Sequence, residues 1–164
     1  MLCCAQSMVI ERSGKSDPTS SFPERTKKMH VILIICSAVL GLLVFGLGFN
    51  VSMTRARTKD VHSAGSDPAG AMMKSVRAHA NATEYCGLII ALFVVTTLVY
   101  SGRDLGLAMT ILVVGVTLAR LIHAAGMLTC KTLAEPNPLR FVGALFTYLF
   151  GFAICLLLLA KALI

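Results

Sequence analysis

Arg77-Ala-His79-Ala-Asn81-Ala-Thr-Glu84-Tyr85 runs directly into Cys86–Tyr100, a stretch of fifteen residues without a charge. At helical spacing Arg77, Asn81, Glu84 and Leu88 follow i, i+4, i+7 and i+11, so they share one face. A second polar pair, Arg120 and His123, falls at i, i+3 within another apolar run. Arg and His on facing helices can present donors to an anionic ligand, and Glu84 can orient those donors or accept from a ligand amine. An Arg or Asp at the centre of a membrane helix costs about 2.5–3.5 kcal/mol, so such residues mark a site by default. The plainer alternative is an internal ion pair of Glu84 with Arg120 or Arg77 that fixes helix register. The polar set is heavier than one register-fixing pair needs.

The elements that must carry these faces follow from composition. Of 164 residues, 56% are hydrophobic and 14% charged, with a mean hydropathy of +0.79 and no Trp. A soluble domain carries about 25% charged residues, so the chain reads as an integral membrane protein with no room for a separate soluble domain. In that setting the net charge of +7 reports topology and anionic headgroups and is no signal for nucleic acid. The six cysteines show neither metal nor disulfide-framework spacing. His79 and His123 have no third ligand at suitable spacing, so no metal site is expected. The glycines lack the strand–loop–helix context of a phosphate loop.

Residues 1–28 mix Ser, Pro, Gly and charge without periodicity and read as a disordered extension; Met29, at the edge of the first span, is an alternative start. Residues 29–164 form the membrane domain, with helices expected over about 31–50, 71–100, 105–129 and 139–161. Val31–Phe49 is apolar throughout and long enough to cross about 30 Å of hydrocarbon. Cys86–Tyr100 alone is too short, so the second span must take in part of the Arg77–Tyr85 face. The fourth span is almost uniformly apolar and is expected to supply packing. Short turns make this an all-α, four-helix membrane bundle with sequential helices antiparallel. Arg55, Arg57, Lys59, Lys74, Lys131 and Arg140 lie on one side, against Arg103 and Lys161 on the other. Leaving aside residues 1–28, whose charges nearly balance the two sides, this bias places the loops around 50–76 and 129–140 in the cytoplasm.

Arg77-x-x-x-Asn81-x-x-Glu84-Tyr85 on a second membrane helix resembles the signature of the MAPEG superfamily, membrane-associated proteins in eicosanoid and glutathione metabolism. Ala119-Arg120-Leu-Ile-His123-Ala-Ala-Gly126 resembles the paired motif on that family's third helix. The joint form is most similar to the small bacterial inner-membrane branch, and the likeness covers roughly residues 30–162. The resemblance implies a homotrimer in a bacterial inner membrane or a eukaryotic endomembrane, with glutathione held between neighbouring subunits at the cytoplasmic end. It implies that Arg77, His79, Asn81, Glu84, Tyr85, Arg120 and His123 bind glutathione, with Arg55 or Arg57 near a further contact. The activity implied is conjugation of glutathione to a lipophilic electrophile, with reduction of lipid hydroperoxides beside it. Three positions depart from the pattern: Cys86-Gly87, Met127, and Ala134 where the eicosanoid-pathway enzymes have the Arg that holds the thiolate. Arg120 and Lys131 are then the candidates for stabilising the thiolate, which is the nucleophilic form. The alternatives are a non-catalytic protein that binds a lipid or a partner protein in the same groove, and a purely structural subunit.

Overall fold

The computed structural model describes residues 24–59 and 63–164, with side chains from residue 31 onward. Four helices follow one another: α1 Glu24–Thr58, α2 Ala71–Val99, α3 Gly106–Thr129 and α4 Pro138–Leu163. The described residues contain no strand. All four helices are long and apolar enough to cross a bilayer, and the chain is an all-helical membrane bundle. The part of the 1–28 extension that precedes Glu24 lies outside the described residues; from Glu24 the chain is helical.

The first helix runs eight residues past its expected end at Asn50. Asn50 and the three hydroxyl residues there find partners on the helix's own backbone or on α2. Ser52, Thr54 and Thr58 hydroxyls donate to the carbonyls of Gly48, Asn50 and Thr54, and Asn50 Nδ2 donates to Ser75 Oγ at 3.0 Å. Polarity therefore does not end the helix. It stops at Lys59, which adopts a left-handed φ of 56°. The other three helices lie within a residue or two of the expected bounds.

α3 is the central element. Half of its most apolar stretch is buried, against about a quarter for each of the other helices, and Met109, Val113, Val116 and Arg120 are almost wholly enclosed. Phe45, Leu42 and Phe49 on α1 and Phe152 and Leu156 on α4 remain exposed, as lipid-facing residues should. α1 pairs with α2 and α3 with α4, while α2 and α3 join the two hairpins. The two loops on the basic side meet: Leu133 N–H donates to Pro68 O at 2.9 Å, and Lys74 Nζ donates to Cys130 O at 3.3 Å.

The α3–α4 contact requires glycine. A Cβ at Gly143 would lie 2.6 Å from His123 N and 2.7 Å from its Cα, and one at Gly126 would lie 2.7 Å from Arg140 N. These are backbone atoms and cannot swing aside. Small residues allow this close approach, which drives helix association in lipid. Gly143→Ala is therefore expected to separate the helices and lower the unfolding midpoint in detergent. The cost is about 1–3 kcal/mol of overpacking, partly offset by alanine's better helix propensity. Gly41→Ala is the control, because nothing lies within 4 Å of its added carbon; it is expected to hold or raise the midpoint.

Candidate functional site

α4 begins sharply. Asn137 caps it, with Oδ1 accepting from Leu139 N–H at 3.0 Å and Arg140 N–H at 3.2 Å, and Pro138 occupies its first turn. This start fixes Arg140 one turn into the helix. Its Nη1 donates to the carbonyls of Leu133 and Glu135, each at 3.2 Å. Its own carbonyl lies 2.9 Å from His123 Nδ1. Arg140 thus ties the α3–α4 turn, the helix start and the His123 ring together.

Arg77, Ala80, Asn81 and Glu84 of α2, His123 and Met127 of α3, and Arg140 of α4 line one polar cavity of about 190 Å³. Two cations, a carboxylate, an amide and an imidazole therefore face a common space. Arg77 and Glu84 are exposed, Asn81 and Arg140 half-buried, and His123 buried.

Arg120 is 2% exposed and lies against α2 beside Asn81. Its Nη2 donates to Asn81 Oδ1 at 2.7 Å and to Asn81 O at 3.2 Å. Its guanidinium carbon sits 4.9 Å from the centre of the Tyr85 ring, a cation–π contact. Its Nε has no hydrogen-bond partner. The alternative pairing of Glu84 with Arg120 or Arg77 does not form: among the described residues Glu84 has no ion pair. The buried cation finds its acceptors on Asn81, one turn before Glu84, and the exposed carboxylate points into the cavity. An internal salt bridge is therefore not what the polar face supplies.

Beyond Tyr85 the surroundings change. Tyr85, Leu88, Ile89 and Leu92 of α2 and Thr147, Tyr148, Gly151, Phe152 and Cys155 of α4 line an apolar groove of about 250 Å³. Tyr85 and Tyr148 hydroxyls are 2.8 Å apart, and their rings meet edge-to-face with centroids 5.8 Å apart. α4, expected to provide packing alone, contributes to both cavities. Tyr148 is the residue that reading the sequence missed. The signal available was a Thr147-Tyr148 pair in an otherwise apolar span.

The remaining candidates lie elsewhere. His79 faces α1, where its ring would touch a Cβ added at Gly48 at 3.2 Å, and its Nδ1 is buried without a partner. Arg55 and Arg57 stand in the last turn of α1; the Arg55 Nε is likewise buried and unpartnered, and Arg57 is exposed. Lys131 lines a separate cavity on the α3–α4 turn with Thr129, Glu135 and Asn137. The described residues hold no cluster of His, Cys, Asp or Glu suited to a metal ion.

The sequence profile of the MAPEG family matches residues 33–160, from the first span to the end of the fourth. The chain belongs to the MAPEG family. No curated protein matches it. The MAPEG family is associated with glutathione transfer and eicosanoid metabolism, and with the four apolar helices it makes this chain an integral, multi-pass membrane protein. The matched range contains every residue of both cavities.

Proposed function

We propose that this MAPEG protein is a membrane-bound glutathione transferase that conjugates glutathione to lipophilic electrophiles. The observation that carries the reading is that α2 lines two cavities of opposite character. The polar one, lined by Arg77, Asn81, Glu84, His123 and Arg140, takes Glu84, and the apolar groove of α2 and α4 takes the next residue, Tyr85. Glutathione has two carboxylates, an ammonium, two amides and a thiol. Arg77 suits a carboxylate, which Arg binds by charge-assisted and frequently bidentate hydrogen bonds. Glu84, which has no ion pair among the described residues, suits the ammonium. Asn81 and His123 supply amide-matching groups.

Activating the thiol requires a cation beside the sulfur in a shielded pocket. Arg140 meets that need better than the two residues named from sequence. Lys131 opens onto another cavity, and Arg120 is enclosed behind Asn81 with its Nη2 already committed. Arg140 lines the cavity and is held by two carbonyls that leave its charge uncompensated. Arg120 then acts by fixing Asn81 and Tyr85. The apolar electrophile reaches the sulfur along the groove from the lipid.

A homotrimer completes this site. His79, Arg55 and Arg57 line no part of the polar cavity of their own chain, and Arg57 is exposed in the last turn of α1. In a trimer the α1–α2 side meets the cavity of a neighbouring copy, and Arg57 is the residue best placed to reach its glutathione. The basic loops, and with them the polar cavity, face the cytoplasm.

The test is conjugation of glutathione to an aryl halide by the purified protein in detergent. Wild type is expected to conjugate, and Arg77→Ala and Glu84→Ala are each expected to lower kcat/KM by about tenfold, the effect of one charged hydrogen bond. Glutathione binding without conjugation would favour a non-catalytic protein that holds a lipid or a partner in the groove. Absence of binding would leave a structural subunit.

A further inference from the structure

Lys131 and Glu135 line one cavity of about 280 Å³ on the α3–α4 turn without pairing across it. Among the described residues neither the Lys131 ammonium nor the Glu135 carboxylate has a partner. Thr132 and Asn137 line the same cavity. Thr132 Oγ accepts from Ala134 N–H at 3.2 Å, and Asn137 Oδ1 accepts from Leu139 and Arg140 N–H. The Thr132 O–H and the Asn137 Nδ2 hydrogens therefore remain to be donated. The turn joins two membrane-crossing helices, α3 ending at Thr129 and α4 starting at Pro138, so this cavity stands at headgroup level. A second cavity of about 280 Å³ adjoins it. Pro136 and Asn137 line both, and His123, Arg140, Phe141 and Ala144 complete the second, whose surface is almost wholly apolar. His123, Phe141 and Ala144 lie further along the spans than the turn, so the charged cavity continues into an apolar one on its membrane side.

We propose that the α3–α4 turn binds a bilayer phospholipid whose headgroup carries both a phosphate and a primary ammonium, of the phosphatidylethanolamine type. The phosphate lies on Lys131, Thr132 and Asn137, the ammonium on Glu135, and one acyl chain in the apolar cavity. A cation and a carboxylate that share a cavity and leave each other unpaired select a ligand with both charges. An acidic headgroup would set Glu135 against negative charge. A choline headgroup has the positive charge but no N–H to donate to the carboxylate. A soluble phosphoamine satisfies the charges and leaves the apolar cavity unfilled, so the occupant is a lipid. The binding site stands apart from the transferase reading. It bears on that reading through His123 and Arg140, which line both the apolar cavity and the polar one. A chain seated there packs against two residues of the proposed glutathione site.

In the test, the full chain in a mild detergent is titrated with phosphatidylethanolamine, phosphatidylcholine and phosphatidylglycerol of one acyl composition, and bound lipid is counted by native mass spectrometry. Wild type is expected to retain the ethanolamine lipid about tenfold better than either of the others, the effect of one charge-assisted hydrogen bond. Glu135→Ala is expected to remove the preference over the choline lipid, and Lys131→Ala to weaken both lipids alike. Ala144→Phe, which fills the apolar cavity, is expected to lower retention of the ethanolamine lipid, and excess free phosphoethanolamine is expected not to displace it. All three substituted side chains are exposed or half-buried, and unchanged unfolding midpoints show that the turn is intact. Equal retention of the three lipids by wild type overturns the inference. So does a preference for phosphatidylglycerol, which would make the cavity a site for acidic headgroups. A preference that survives Glu135→Ala and Lys131→Ala places the lipid elsewhere and also overturns it, as does retention unaltered by Ala144→Phe. Displacement by free phosphoethanolamine assigns the cavity to a soluble phosphate compound and overturns the lipid.

Discussion

Arg140→Ala is expected to lower kcat/KM for glutathione conjugation by about a hundredfold or more, comparable to deleting a donor from a site of developing negative charge. A free thiol has a pKa of about 8.5 and is only a few per cent thiolate at neutral pH. An adjacent cation raises that fraction, and one pKa unit corresponds to about 1.4 kcal/mol of differential stabilisation. Arg140 lines the polar cavity, and the Leu133 and Glu135 carbonyls hold its Nη1 without neutralising it. Removing the side chain also frees the α3–α4 turn, so three readouts are needed together. Glutathione affinity by calorimetry is expected to change less than turnover. The unfolding midpoint reports any loosening of the turn. Arg140→Lys, which keeps the charge and loses the fork, is expected to fall between wild type and Arg140→Ala. Lys131→Ala is expected to stay within about threefold of wild type; a large loss there with Arg140→Ala intact would move the activating role to Lys131.

The second large effect concerns stability and is asymmetric. Arg120 is 2% exposed and its shortest bond, 2.7 Å, is to Asn81 Oδ1. Asn81→Leu removes that acceptor and leaves the cation with the backbone carbonyl of the same residue and the face of the Tyr85 ring. Stranding a buried charge costs about 3–5 kcal/mol. Arg120→Leu removes the charge together with its desolvation cost, and leaves an amide that is half-buried and can turn towards the polar cavity. It is expected to cost less than about 1 kcal/mol, or to stabilise, while weakening glutathione binding through the lost support of Asn81 and Tyr85. Unfolding midpoints in one detergent, with the double variant closing the cycle, measure the difference. A larger loss for Arg120→Leu than for Asn81→Leu would show that the guanidinium is a net source of stability.

The four spans and their order were readable because membrane helices must be apolar over about twenty residues, and nothing else in the chain competes with that signal. The polar face of α2 was readable for a related reason: Arg77, Asn81 and Glu84 keep helical spacing, and all three line one cavity. What the spacing does not encode is depth. It could not tell that Arg120 would bond Asn81 and leave Glu84 free, since both lie on the face that α3 approaches. The end of α1 was misplaced because Ser52, Thr54 and Thr58 look like loop residues until their hydroxyls are seen bonding the preceding turn. Arg140 was visible as a nearby cation, but its place depends on where Asn137 and Pro138 start α4. Tyr148 depends on Tyr85, 63 residues away, and no local pattern links them. His79 shares the motif yet faces Gly48 of α1, so sequence adjacency overstated its nearness to the cavity.

The central claim, that the polar cavity holds glutathione with its sulfur beside Arg140, is tested most directly by the ultraviolet absorbance of the thiolate when glutathione is added to the purified protein at neutral pH. The account predicts that thiolate absorbance rises on binding, in proportion to occupied sites, and that Arg140→Ala binds glutathione without that rise. Bound glutathione that gives no thiolate signal in the wild-type protein, or a signal that survives Arg140→Ala unchanged, would contradict it.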